Sequence, residues 1–239
     1  MFVVAGRVLP MQWAALLSVT FATLVCIRIL DPGWRIGFFV NPLREFPLGV
    51  AFAILLIGSC DLVLMLVAHV RHTRNDGLPW LELATVFLPA AFHEELAFRG
   101  YLFQKLRAWN RIAGFAFSSL LFAMLHLRNH AITIVAIANI ALAGILLALA
   151  YERYERLWFP IGIHLTWNLL SGPILGYPVS GFVSHSTLLT TTLGRGPSWI
   201  TGGAFGIEGS VVITIAEIVG IFALQSQAAR QGGKRRETS

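Results

Sequence analysis

The chain predicts an all-α polytopic membrane protein, and three observations carry that expectation. Hydrophobic residues make up 56% of its 239 positions and charged residues only 13%, with a mean hydropathy of +0.71. A soluble domain of this length does not need so much apolar surface. The apolar residues also gather into long low-charge runs, most of which approach the roughly 17–25 residues a spanning helix requires. Those runs are continuous, whereas a membrane β-strand alternates apolar and polar residues over about ten positions. The expected architecture is a bundle of about seven transmembrane helices around an intramembrane cavity, built as one integral membrane domain over residues 1–239.

The runs follow in chain order. Trp13 to Ile27 resembles a signal peptide in length. Arg7 is followed by a long apolar stretch with no small-x-small cleavage site before Asp31-Pro32-Gly33, so a retained first helix is expected. Leu48 to Val70 carries Asp61 near its middle, expected to pair with an arginine or to face the cavity. Trp80 to Leu106 holds two adjacent glutamates. Ile112 to Leu127, Ala131 to Tyr151 and Trp158 to Leu175 follow, and Ser210 to Leu224 closes the series with Glu217 inside it. Trp13, Trp80, Trp109 and Trp158 fall near run ends, where interfacial anchors belong. The connection from Tyr177 to Gly209 is rich in Gly, Ser and Thr and long enough to suggest a partly re-entrant loop over a site.

Lys and Arg are concentrated in the connections after the first, third, fifth and seventh runs, so the positive-inside rule puts Arg230, Lys234, Arg235 and Arg236 in the cytoplasm and the N-terminus outside. That bias and anionic headgroups account for the net charge of +6 and the pI near 10.0 without a nucleic-acid partner. The expected partners are the lipid bilayer and a membrane-associated peptide or protein. Cys26 and Cys60 lie within runs without a CxxC pattern and are expected to be small buried hydrophobes.

The chemistry lies in three pieces. Glu95 and Arg99 are four apart with the acid N-terminal, the favoured order for an ion pair on one helix face. Glu94 points about 100° away, which leaves it free to handle a proton while Arg99 neutralises Glu95. Phe122 and His126 share a face of the fourth run, and His164 and Asn168 a face of the sixth. Together, an acid, two imidazoles and an amide suffice to activate water and stabilise an oxyanion. Glu94, His126 and His164 are equally zinc-type ligands. A single-helix HExxH site is ruled out, because Ala97 stands where its second histidine belongs. No Ser or Cys lies in a nucleophile motif and no GxSxG occurs.

The stretches EELAFRG at Glu94 to Gly100, FAMLH at Phe122 to His126 and HLTWN at His164 to Asn168 are similar, in order and type, to the signature motifs EExxxR, FxxxH and HxxxN of the CPBP intramembrane protease family. This family includes the type II CAAX prenyl endopeptidases and bacteriocin-processing and self-immunity proteins, and is also called the ABI family. The resemblance implies a protease core over about residues 80–176. It implies that Glu94 activates water with His126, that His164 and Asn168 stabilise the oxyanion, and that Glu95, Arg99 and Phe122 support them. It admits both metal-free and metal-dependent chemistry. One clearly free carboxylate favours the metal-free form, with no cofactor expected and zinc as the alternative. The short loops match the bacterial members, so prenylated CAAX substrates do not follow from it.

On straight helices at about 1.5 Å per residue, Glu94, His126 and His164 would lie roughly 18, 21 and 9 Å from the cytoplasmic ends. Either a helix is tilted or broken, with Gly114 and Pro160 as the candidate breaks, or the run boundaries are displaced by a turn. Glu217 is expected to resemble Asp61, and Trp167 to wall the pocket or pack in the core. His69, His72, His130 and His185 are expected in solvated or interfacial places, and Glu152, Arg153, Glu155 and Arg156 in a charged collar. The alternatives to an intramembrane endopeptidase are a non-proteolytic scaffold or bacteriocin self-immunity protein of the same fold, and, third, a proton-coupled transporter.

Overall fold

The computed structural model describes residues 5–75 and 77–237, and the side chains of residues 11–75 and 77–226. Its frame is α1 (Ala5–Leu30) and α2 (Pro42–Val67), followed by strand β1 (Arg71–Arg74). A short α3 (Trp80–Glu82) runs through a π-helical turn at Leu83–Phe87 into α4 (Leu88–Arg99), and then come α5 (Tyr101–Trp109), α6 (Arg111–Leu125), α7 (Ile134–Tyr154) and α8 (Trp158–Leu169). A second π-helical turn, Leu170–Ile174, precedes β2 (Leu189–Thr192), α9 (Ser198–Thr201) and α10 (Val211–Glu237). The fold is mostly helical, as expected. The departure is the pair β1 and β2, antiparallel with Arg71 opposite Thr192.

Among the described residues, three helical segments are long and apolar enough to cross a membrane, Met11–Leu30, Pro42–Val67 and Ile134–Tyr154, with Arg111–Leu125 and Val211–Ser226 as shorter apolar helices. Large apolar side chains cover the outer faces: Phe21 is 70% and Leu55 73% exposed, and Leu17, Leu66 and Phe222 are exposed as well. Contiguous apolar surface on this scale marks an interaction with lipid or protein. On helices of spanning length it fits lipid as the solvent. The basic cluster Arg230, Lys234, Arg235 and Arg236 and the early Arg7 belong to the segments whose side chains lie outside the described residues.

The third expected run is not one helix. The chain breaks at Gly100, where an added Cβ would lie 2.0 Å from the Leu96 carbonyl oxygen, and α5 starts as a separate helix at Tyr101. Gly114 and Pro160, the expected breaks, lie inside the unbroken α6 and in the first turn of α8. Proline is tolerated in a first turn because its missing N–H has no intrahelical partner there. The real irregularities are the two π-helical turns, a feature frequent at functional sites. Asn110 caps α6 by accepting from the Ala113 N–H at 2.9 Å, and Thr133 caps α7 through the Ala136 N–H at 3.1 Å.

The core runs between α2, α7, α8 and α10, around Ile57, Leu64, Leu146, Ile163 and Ile213. The expected collar is present: Arg111 grips Glu152 through two 2.8 Å bonds, Arg107 reaches Glu155 at 2.5 Å, and Arg156 binds Glu45 at 2.6 Å. Just beyond α1, hydrogen bonds from Tyr101 and Lys105 hold the Asp31 carboxyl below its ordinary pKa and tie α5 to the end of α1.

Helices α2 and α8 pack more extensively than any other pair, because Gly49 and Gly162 face each other. A Cβ on Gly162 would come within 2.5 Å of the Phe46 carbonyl oxygen and 3.2 Å of the Gly49 Cα. Gly162→Ala is expected to destabilise the protein by about 1–3 kcal/mol through overpacking. A thermal melt in detergent checks this, and unchanged stability would refute the close crossing. Because α8 carries His164 and Asn168, the same substitution is expected to move the site.

Candidate active site

The motif helices α4, α6 and α8 converge on a cavity of about 760 Å³. All four residues expected to carry chemistry, Glu94, His126, His164 and Asn168, line it, and so does Phe122.

The base of the site is a buried charge chain. Glu95 and Arg99 are fully buried, and Arg99 Nη1 donates to Glu95 Oε1 at 2.8 Å. Arg99 Nη2 donates to the Gly144 carbonyl on α7 at 3.1 Å, and the guanidinium lies 4.9 Å from the centre of the Phe122 ring, within cation–π range. Glu95 Oε1 also accepts from His164 Nδ1, at 2.8 Å. Bonding of Nδ1–H to the carboxylate turns Nε2 the other way, toward Glu94. The Nε2 to Glu94 Oε2 separation is 3.7 Å, beyond a direct hydrogen bond and of a size that a bridging oxygen fills. Glu94 is thus the accessible acid, 21% exposed at its side chain, and Glu95 the sequestered one. The expected division between the two acids corresponds to this geometry, and Glu95 has a second contact, with His164, that four-residue spacing does not predict.

His126 forms the C-terminal cap of α6. Its Nδ1 donates to the Phe122 carbonyl at 2.7 Å, since a carbonyl only accepts, so Nε2 is left for the cavity. The Phe122 ring stands between the two imidazoles, 4.7 Å from His126 and 6.0 Å from His164 between ring centres. Asn168, one turn beyond His164, is half-buried on the cavity wall.

Several functional neighbours lay outside the sequence expectations. His93 lines the cavity with Nδ1 donating to the Pro89 carbonyl at 2.9 Å. The long loop, expected over a site, lines the cavity through Ser180, Phe182, His185 and Glu208, and these particular residues were not singled out for it. Glu208 is 8% exposed and accepts from Trp167 Nε1 at 2.9 Å, from the Ser180 N–H at 2.6 Å and from its hydroxyl at 2.7 Å. Trp167 therefore lines the pocket and also anchors the loop. Asn139 bolts the same wall, donating to the Glu208 and Ser210 carbonyls at 2.7 and 2.9 Å and accepting from the Thr214 hydroxyl at 2.6 Å. The lone acid in a Gly-, Ser- and Thr-rich loop was the available signal for Glu208.

Two expectations are corrected. Among the described residues Asp61 pairs with no arginine and does not line the cavity; it accepts from Tyr177 at 2.6 Å and bonds His72 Nε2 at 3.0 Å. His72 is accordingly half-buried and paired, and His185 bonds Glu82. Among the described residues, no group of three or more His, Cys, Asp or Glu side chains is arranged to hold a metal ion. Glu94, His126 and His164 accordingly do not form a zinc-holding group as arranged.

A family model described as Rce1-like, type II CAAX prenyl endopeptidase, matches residues 76–170. No curated protein and no solved structure matches the chain. The matched segment takes in Glu94 to Gly100, Phe122 to His126 and His164 to Asn168, the stretches that meet at the cavity. Through residues 76–170, and by the three motifs those residues bring to one cavity, the chain is similar to the Rce1-like type II CAAX prenyl endopeptidase family.

Proposed function

We propose that the protein is an intramembrane endopeptidase that hydrolyses a peptide bond of a membrane-associated or lipid-anchored polypeptide by direct attack of activated water. The observation that carries this reading is the arrangement of His164, bonded through Nδ1 to the buried Glu95 and facing the accessible Glu94 across 3.7 Å.

In this mechanism water sits on Glu94 with His126 Nε2 as its second partner, and Glu94 takes the proton as the water oxygen attacks the scissile carbonyl carbon. The carbonyl oxygen becomes an oxyanion and accepts from His164 Nε2–H and the Asn168 amide. His164 carries both ring hydrogens at that stage, one on the Glu95 carboxylate and one on the oxyanion. The Arg99 guanidinium holds Glu95 in place for that role through its 2.8 Å bond. Collapse of the tetrahedral intermediate breaks the C–N bond, and the proton held by Glu94 passes to the leaving amine. Glu94 and the two histidines complete the cycle without a metal.

The cavity opens within the bundle at membrane depth on the cytoplasmic side, and about seven apolar segments span the bilayer. The N-terminus lies outside and the C-terminus in the cytoplasm, an orientation that the distribution of Lys and Arg supports, and the membrane is a bacterial cytoplasmic membrane. The substrate enters from the lipid or from its surface, and neither nucleic acid nor a resident cofactor takes part.

The test is cleavage of quenched fluorescent peptides, free and lipid-anchored, by the protein in detergent and in liposomes, with and without a chelator. Cleavage at a defined bond that survives the chelator is the expected result. Loss of cleavage in chelator, restored by zinc, would replace the metal-free mechanism. Tight peptide binding without cleavage would favour a scaffold or immunity protein of the same fold.

A further inference from the structure

One buried acid in the cavity has no part in this chemistry. Glu217, on α10, is 1% exposed, lines the cavity, and its Oε2 has no hydrogen-bond partner. A buried acid with an unpartnered oxygen on an apolar helix is costly, so by default it has a function. Thr214, three residues earlier and on the same helix face, is fixed to Asn139 on α7 at 2.6 Å, and that bond sets the register that turns Glu217 inward.

The cavity around it is acidic. Glu82, Glu94, Glu208 and Glu217 line it, and among the described residues no Lys or Arg does. The overall charge of +6 is therefore carried elsewhere. The arginine closest to the site, Arg99, is spent on Glu95 beneath the cavity, and Arg107, Arg111 and Arg156 serve the collar. Carboxylates in a cleft with apolar walls focus a negative potential, which attracts cations and opposes a substrate carboxylate. Glu208 is satisfied by Trp167 and Ser180, and Glu82, though its Oε2 is unpartnered, bonds His185, so Glu217 is the buried lining acid whose side chain makes no hydrogen bond to a described residue.

We propose that Glu217 is a specificity-determining residue that pairs with a Lys or Arg side chain of the peptide substrate, with Glu208 adding to the field, so that the protein selects polypeptides with a basic residue near the scissile bond. This rests on the endopeptidase reading for its meaning, but binding alone decides it.

The test uses the full-length protein in nanodiscs and N-terminally acetylated, fluorescently labelled apolar peptides that differ at one central position: Lys, norleucine or Glu. Acetylation removes the terminal amine as a competing cation. Fluorescence anisotropy is expected to show Lys bound at least about tenfold more tightly than norleucine, which corresponds to about 1.4 kcal/mol, and Glu bound most weakly. In Glu217→Gln the ratio of Lys to norleucine affinity is expected to fall toward one, and in Glu217→Asp to persist. Equal binding of the three peptides by wild type, or a Lys preference that survives in Glu217→Gln, overturns the proposal. The wild-type series holds even if the Gln variant does not fold. Cleavage recorded with the same peptides tests the endopeptidase reading separately, since a Lys preference in binding without hydrolysis would sink only the latter.

Discussion

Glu94→Gln is expected to lower the rate constant for peptide cleavage by about a hundred- to ten-thousand-fold, the range of a lost general base, while the thermal melt stays near that of wild type. The two halves of this expectation have different causes. The rate falls because an amide cannot take the proton of the attacking water. The fold persists because Glu94 is the partly exposed acid, with the 3.7 Å approach to His164 Nε2 as its ion-pair contact. Gln keeps the shape and can still bridge to His164 through a water. A glutamate that merely supported peptide binding would tolerate this change, so the cleavage rate at saturating substrate is the deciding measurement. Wild-type rates in the Gln variant would remove Glu94 from the chemistry. A matched loss of stability and rate would make it structural.

The contrast with Glu95 shows how much of this site the sequence carried. Four-residue spacing predicted the Glu95 and Arg99 pair, and the pair is present, because helical geometry fixes such neighbours within one element. The link from Glu95 to His164 joins residues 69 apart in sequence, and no local rule contains it. Helical segments were similarly legible, since hydropathy reports burial in lipid or core. Their interruptions were not, because a shift from α to π bonding leaves hydropathy unchanged. Prolines were the trace: Pro89 follows the first π-helical turn and Pro173 lies within the second, and each removes an N–H from the ladder. Gly114 and Pro160 were the wrong candidates because one packs against the backbone of Arg107 and the other sits in a first turn. Asp61 was recognised as a buried acid, but its partners His72 and Tyr177 come from β1 and the loop after α8, and only the tertiary fold brings them to it.

The largest loss of stability is expected from Arg99→Ala. Both members of the pair are fully buried, so removing the guanidinium leaves the Glu95 carboxylate in an apolar interior, at a cost of about 3–5 kcal/mol. The bond to Gly144 and the contact with the Phe122 ring disappear as well. Arg99→Ala is therefore expected to lower the melting temperature sharply, and Glu95→Ala to do the same by stranding Arg99. The double change Glu95→Gln with Arg99→Met removes both charges while keeping volume, and is expected to be more stable than either Ala variant, since a buried pair is often no better than an apolar substitute. That recovery should not extend to catalysis. Without the Glu95 carboxylate, His164 loses the acceptor that fixes Nδ1 and turns Nε2 toward Glu94, and the oxyanion loses an oriented donor. Chemical or thermal unfolding of the four proteins gives the coupling energy between the two positions, and cleavage rates in the same samples separate structure from chemistry. Near-additive losses would mean the two side chains do not act as a pair. Wild-type cleavage by the double variant would show that the buried charges maintain the fold and leave the reaction to Glu94, His126, His164 and Asn168.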